Sequence, residues 1–214
     1  MGGMTRVGMM AALLAAHCLA HAQADVGLVN LVTGDVSFVP QAGQPGKVKA
    51  FMKVRNGDRF ELPAGAQLRV VYFEGSRQER WRGPSSFRAA PMRGTPISGA
   101  PAEVTALPSS VPQRIARASE LMQNARLGGV QVRGASASRR APDETLQDAR
   151  ATYEKLRQEL PGDDITAELY LYSALNDYQL YEEMVPLVNE MQRKQPGSED
   201  VKSLAAWLNR RRGQ

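Results

Sequence analysis

The sequence predicts an α+β chain of more than one unit: a small antiparallel β-domain, then one helix, then a short helical-repeat domain. Three observations carry that expectation. Between residues 26 and 91, short β-prone runs are separated by glycine, proline and acidic punctuation, with no sustained helical period. From residue 143 onward apolar residues recur at helical spacing instead. Charge changes with the pattern: residues 25–104 carry 11 basic and 7 acidic side chains, residues 105–142 carry 6 and 1, and residues 143–214 carry 9 and 14.

Residues 1–24 have the grammar of a secretory signal peptide. Arg6 is their one charge, an apolar run extends from Val7 to Ala16, and small residues stand at Ala22 and Ala24, so cleavage is expected before Asp25. The apolar run, about 10 to 14 residues, is shorter than the roughly 18 of a spanning helix. Cleavage there implies a periplasmic location. The alternative is lipid attachment at Cys18, which is disfavoured because His17 rather than a small residue precedes it. Removal of the leader takes away Cys18, His17 and His21, the chain's one cysteine and both histidines. Disulfides, Cys/His metal sites and histidine-dependent nucleophilic catalysis are then not expected, and neither is a cofactor. No later apolar run is long enough to span a bilayer, so no integral membrane segment is expected in the mature chain. The net charge of +5 is modest and dispersed, which argues against a nucleic-acid partner.

In the β-domain, residues 25–104, strands are expected at 28–32, 36–39, 50–54, 59–62, 67–73, 78–82 and 85–89. Turns fall at Thr33-Gly34-Asp35, Asn56-Gly57-Asp58, Pro63-Ala64-Gly65 and Glu74-Gly75-Ser76, with Asn56-Gly57 the strongest hairpin signal. Gly57 and Gly75 are expected to supply positive φ. In 67–73, Leu68, Val70 and Tyr72 share one face while Arg69, Val71 and Phe73 share the other. Both faces are largely apolar, which predicts a central strand or one covered on both sides.

Residues 92–108 are rich in proline, glycine and small side chains and read as a connector. Ser110 and Gln113 have capping-box spacing, and Ile115, Ala118, Met122 and Ala125 fall on one stripe, predicting a helix over 111–127. Val130-Gln131-Val132 reads either as a strand returning to the β-domain or as linker, and 134–142 as a basic linker, closing the connecting segment 105–142. In 143–214 the first helix carries the stripe Leu146, Ala149, Tyr153, Leu156, Leu160 and stops at Pro161-Gly162. A second, 164–178, buries Ile165, Leu169, Tyr172 and Leu175. A third covers 181–194, with Pro186 tolerable only near the first turn or as a kink. A fourth covers 198–212, with Arg210, Arg211 and Arg212 well placed at its C-terminus.

Leu146, Ala149, Tyr153, Leu156 and Pro161 recur as Tyr181, Met184, Val188, Met191 and Pro196 at a constant offset of 35. This pattern resembles the second helix and terminal proline of a tetratricopeptide repeat, whose period is 34; Leu156, Met184 and Met191 stand where that family favours alanine. So short an array should pack on another element, with the helix around 115–125 the candidate. The β-region in turn resembles the periplasmic FecR-type domain in the order of Gly34-Asp35-Val36, Val54-Arg55-Asn56-Gly57-Asp58, the strand Gly65 through Phe73, and Glu74-Gly75-Ser76. In regulatory members of that family the domain follows a membrane helix and a cytoplasmic portion. This chain departs from that plan, and transmembrane iron signalling does not follow from the resemblance.

The resemblances imply a noncatalytic periplasmic protein-interaction or scaffolding module of the bacterial cell envelope, with envelope proteins as partners. The alternative is a cell-wall module that binds peptidoglycan or another glycan through the β-domain. Candidate partner-binding residues are Tyr170, Asp177, Tyr178 and Tyr181, because tyrosine joins apolar area to a polar tip. The candidate β-domain surface is Arg80, Trp81 and Arg82, although alternation along a strand points Trp81 away from both arginines and suits a core tryptophan equally. Asp58, Glu61, Glu74 and Glu79 are the carboxylates a glycan-cleaving enzyme would draw on, the weakest reading, since nothing in their spacing isolates a pair.

Overall fold

The computed structural model describes residues 24–126 and 144–213, the side chains of 122–126 excepted. It is α+β, with two five-stranded antiparallel sheets followed by five helices. The expected leader up to residue 23, with Ala22, Cys18 and both histidines, lies outside the described residues, as do Val130–Val132 and the basic linker. Ala24 is exposed, immediately ahead of the first strand.

The strands are β1 (Asp25–Thr33), β2 (Ser37–Val39), β3 (Gly46–Lys47), β4 (Lys53–Arg55), β5 (Arg59–Leu62), β6 (Gln67–Tyr72), β7 (Arg77–Arg82), β8 (Ser85–Ala89), β9 (Gly94–Gly99) and β10 (Glu103–Ala106). One sheet has the order β10-β7-β6-β1-β4 and the other β3-β2-β5-β8-β9. They face each other across a core containing Val29, Val54, Phe60, Leu68, Val70, Trp81 and Phe87. Phe38, Phe60 and Phe87 are cross-strand partners in one row of the second sheet. Their rings stack at 6.1 and 4.9 Å, and Trp81 from the first sheet stacks on Phe87 at 4.1 Å. Strand alternation explains the row, because every second side chain on each strand points inward.

As expected, β6 lies centrally and is covered on both faces. Leu68, Val70 and Tyr72 join the sandwich core, whereas Val71 and Phe73 join the core that the helices build on the outer face. A bulge in β1 opposite β6, between Val29 and Leu31, leaves Asn30 without a cross-strand partner.

Four local outcomes differ from the sequence reading. β4 is shorter than 50–54, because Phe51 adopts a left-handed φ of 61° that interrupts the extended chain. β3, a two-residue partner of β2, had no sequence signal. Residues 92–108 are not an irregular connector: β9 and β10 are the outer strands of the two sheets, and the β-domain runs on to Ala106 rather than ending at 104. Pro96 is tolerated in β9 because an outermost strand can spare one donor. Gly57 does have a positive φ, 90°, but in the Glu74-Gly75-Ser76 turn that role falls to Ser76 at 47°. Gly75 is needed for a different reason, since a Cβ there would sit 2.0 Å from the Met92 carbonyl oxygen.

The helices are α1 (Ser110–Arg126), α2 (Leu146–Glu159), α3 (Thr166–Asp177), α4 (Tyr181–Lys194) and α5 (Glu199–Arg212). α2 starts with a capping box, Thr145 and Asp148 bonding reciprocally, and Ser198 caps α5 by accepting from the Val201 amide. α2 and α4 have the same length and buried positions in step: Ala149 with Met184, and Leu156 with Met191. From α2 to α5 each helix packs on the next, and α1 lies across α3 and α5 while also touching β1 and β6. The later helices are thus covered by α1, the element expected to pack on them. None of the described helices is long and apolar enough to cross a membrane.

Candidate interaction site

Packing by α1 decides what the helical tyrosines can do. Sequence periodicity places Tyr170 opposite the stripe of Ile165, Leu169, Tyr172 and Leu175, but α3 is buried from Thr166 to Leu175 on all sides. The Tyr170 hydroxyl donates to Glu144 Oε1, and the Arg114 guanidinium of α1 stands 5.8 Å from its ring centroid. Burial, then the bond to Glu144, pushes its pKa up to about 12. Arg114, itself buried, donates to Glu144 at 2.8 Å and to Asp177 at 3.0 Å, and Arg117 also donates to Asp177. Burial opposes the Arg114 charge, yet these two carboxylates hold its pKa above the ordinary value. Tyr181 packs edge-on against Trp207. Tyr178 is 47% exposed. The four candidates therefore do not converge on an open groove, because α1 fills the face where Tyr170 and Asp177 meet.

On the β-domain, Trp81 is 1% exposed, its indole N–H donating to Glu79 Oε2 at 3.2 Å. Arg80 and Arg82, pointing the other way, both pair with Glu103 of β10 at 3.3 Å. A tryptophan platform flanked by cations is therefore not formed. The four carboxylates do not form a pair either. Asp58 Oδ2 accepts from the Arg55 amide and closes its turn, Glu61 pairs with Arg59, and Glu74 is exposed. Glu79 accepts from Gly94 N at 2.9 Å, fixing β9 to β7. Burial raises the pKa of both Asp58 and Glu79.

What the sequence reading missed is a buried polar seam joining the first sheet to the helices. Asn30 Nδ2, freed by the β1 bulge, lies 3.0 Å from Gln78 Oε1, 2.7 Å from Thr166 Oγ1 and 3.2 Å from Asp164 Oδ1. Gln78 Nε2 donates to Asp164 Oδ2 at 2.6 Å, and the Thr166 hydroxyl donates to Gln78 Oε1 at 2.8 Å. Asp164 Oδ1 also accepts the amide of Thr166, the first residue of α3, so one carboxylate bonds both the start of that helix and the sheet. Arg69 reaches Asp163 at 3.2 Å and Asp164 at 3.4 Å. Beside it Lys194 donates to Glu168 and to the Asp164 carbonyl, while Gln195 Nε2 donates to the Asn30 carbonyl at 2.7 Å. Among buried side chains these bonds orient as well as hold, because misalignment leaves polar groups unpaired; Asn30 Oδ1 and Arg69 Nε already lack a hydrogen-bond partner among the described residues. The signal in the sequence was weak: Asn30 and Arg69 interrupt apolar strands, and Asp163-Asp164 precedes a helix.

Where the seam reaches the surface, the sheet and the α4–α5 corner diverge and form a cleft of about 810 Å³. Leu31, Val32, Val48 and Ala50 line it from the β-domain, and Gln195, Ser198, Asp200 and Ser203 from the helices. An apolar floor with a few polar groups, set between two units, is the usual form of a binding site. Comparison with protein-family models, with curated proteins and with solved structures finds no match.

Proposed function

We propose that the chain is a noncatalytic protein-interaction module of the bacterial cell envelope, in which a FecR-like β-sandwich carries a short tetratricopeptide-like array and works in the periplasm. The observation that carries this reading is the cleft between the first sheet and the α4–α5 corner, whose two walls come from different units and are held in register by the buried seam. The offset of 35 shared by α2 and α4 supports the repeat reading. The dispersal of Asp58, Glu61, Glu74 and Glu79 into turns, surface pairs and strand anchors supports a binding role over glycan cleavage.

The test is crosslinking in intact cells followed by affinity purification of the full chain. A chain truncated after Pro142 is unsuitable, because losing α3 and α5 would strip the cover from Val111 and Ile115 of α1. Repeated enrichment of one envelope protein, abolished by excess unlabelled chain, is the expected result. Enrichment of peptidoglycan fragments with no protein would replace this reading with the cell-wall one.

A further inference from the structure

β1 is nine residues long but is paired unequally on its two sides. β6 follows it through to Thr33, whereas β4 pairs with it only at Asp25, Gly27 and Leu28. The last backbone bonds on the β4 side join Val29 to Phe51 and Met52. There the left-handed turn at Phe51 carries the chain off, so residues 31–33 have a strand on one flank and, among the described residues, none on the other. Of these residues, Leu31 and Val32 line the cleft. The helices already use the beginning of that flank, since Gln195 bonds the Asn30 carbonyl from the same corner.

Charge around the cleft is unevenly spent. Glu199 pairs with Lys202, Asp200 is buried in the helical wall, and Lys194 is held by Glu168 and the Asp164 carbonyl. Lys49, exposed on the β-domain rim, pairs with no carboxylate among the described residues. Leu31, Val32 and Ala50 are half-buried at the cleft floor, Val32 packing on the sandwich core and Ala50 on the helical one.

We infer that this cleft takes an extended peptide segment of a partner protein, laid along residues 31–33 of β1, with apolar side chains on Leu31, Val32 and Ala50 and an acidic side chain at Lys49. The inference rests on the interaction reading above and gives it a site and a ligand chemistry. Adding a strand supplies backbone hydrogen bonds with little regard to sequence, while alternate side chains supply the selectivity. The acidic residue then adds pairing and steering.

A random peptide library displayed on phage and selected on the full chain tests it. The enriched peptides are synthesised and measured against Lys49→Glu, against Ser203→Tyr, which fills the cleft, and against Tyr178→Ala, an exposed position outside it. Peptides alternating apolar and acidic residues are expected, with binding weakened at least about tenfold by the first two variants and unchanged by the third. Bound peptide should also slow amide hydrogen exchange within residues 31–33, a readout that needs no variant. No enrichment, or equal binding to the wild type and both cleft variants, overturns the inference. Peptides that bind but respond only to Tyr178→Ala overturn the cleft while leaving the interaction module standing; cell-wall fragments as the sole crosslinked species overturn the module itself.

Discussion

Tyr72 buries its hydroxyl between the two sheets with no hydrogen-bond partner among the described residues, and that burial lifts its pKa well above the ordinary phenol value. An unpaired buried hydroxyl costs on the order of 1 kcal/mol or more, and its removal leaves the ring packing intact. Tyr72→Phe is therefore expected to stabilise the fold by about 1 kcal/mol in denaturant unfolding; a loss of stability would show that the hydroxyl has a partner. Glu79 presents the pH counterpart. Burial raises its folded pKa above the unfolded reference of 4.5, so the folded state holds its proton more tightly than the unfolded chain. Its stabilising contribution is complete below that reference and declines as pH rises through the folded pKa. Glu79→Gln removes that decline, so the melting temperature of the variant relative to wild type should climb as pH rises above the unfolded reference. A difference that stays flat with pH would contradict burial as the dominant cause.

At the scale of elements, α1 is locked to the later helices by Arg114, which is 1% exposed on its side chain and bonded to Glu144 and Asp177. Arg114→Ala leaves two carboxylates and the Tyr170 hydroxyl without their central cation, and should cost roughly 3 kcal/mol. Arg114→Lys keeps the charge but cannot fork to both partners, so an intermediate loss is expected in urea titrations. Equal stability of all three proteins would show that apolar packing alone seats α1. Periodicity made most elements legible: β5, β8 and α4 coincide with the expected 59–62, 85–89 and 181–194. It failed where tertiary context governs. β9 looked like a linker because Pro96 and two glycines break strand propensity, yet Gly94 is required since a Cβ would meet the Trp81 ring at 2.6 Å. Tyr170 looked exposed because a helical stripe records a single buried face, whereas α3 has neighbours all round once α1 folds across it.

For the whole molecule, the seam decides whether the two units are merely linked or form one structure. Asn30, Gln78, Asp164 and Thr166 lie up to 136 positions apart and became meaningful only once the bulge in β1 and the start of α3 met. No local pattern could disclose that, since each residue taken alone reads as an ordinary strand or cap residue. The cleft has the same origin, being the gap left where the seam ends. The two tryptophans of the chain allow this joining to be measured, because Trp81 reports the sandwich and Trp207 reports α5. The decisive experiment is urea unfolding of Trp81→Phe and Trp207→Phe, each followed by the remaining tryptophan's fluorescence and by far-UV circular dichroism. If the seam fuses the units, the two signals superimpose in both variants, and Asp164→Ala moves them together to lower denaturant. A fluorescence transition separated from the dichroism in either variant would mean that sandwich and helices unfold independently, and the cleft would then lack the fixed walls on which its proposed role depends.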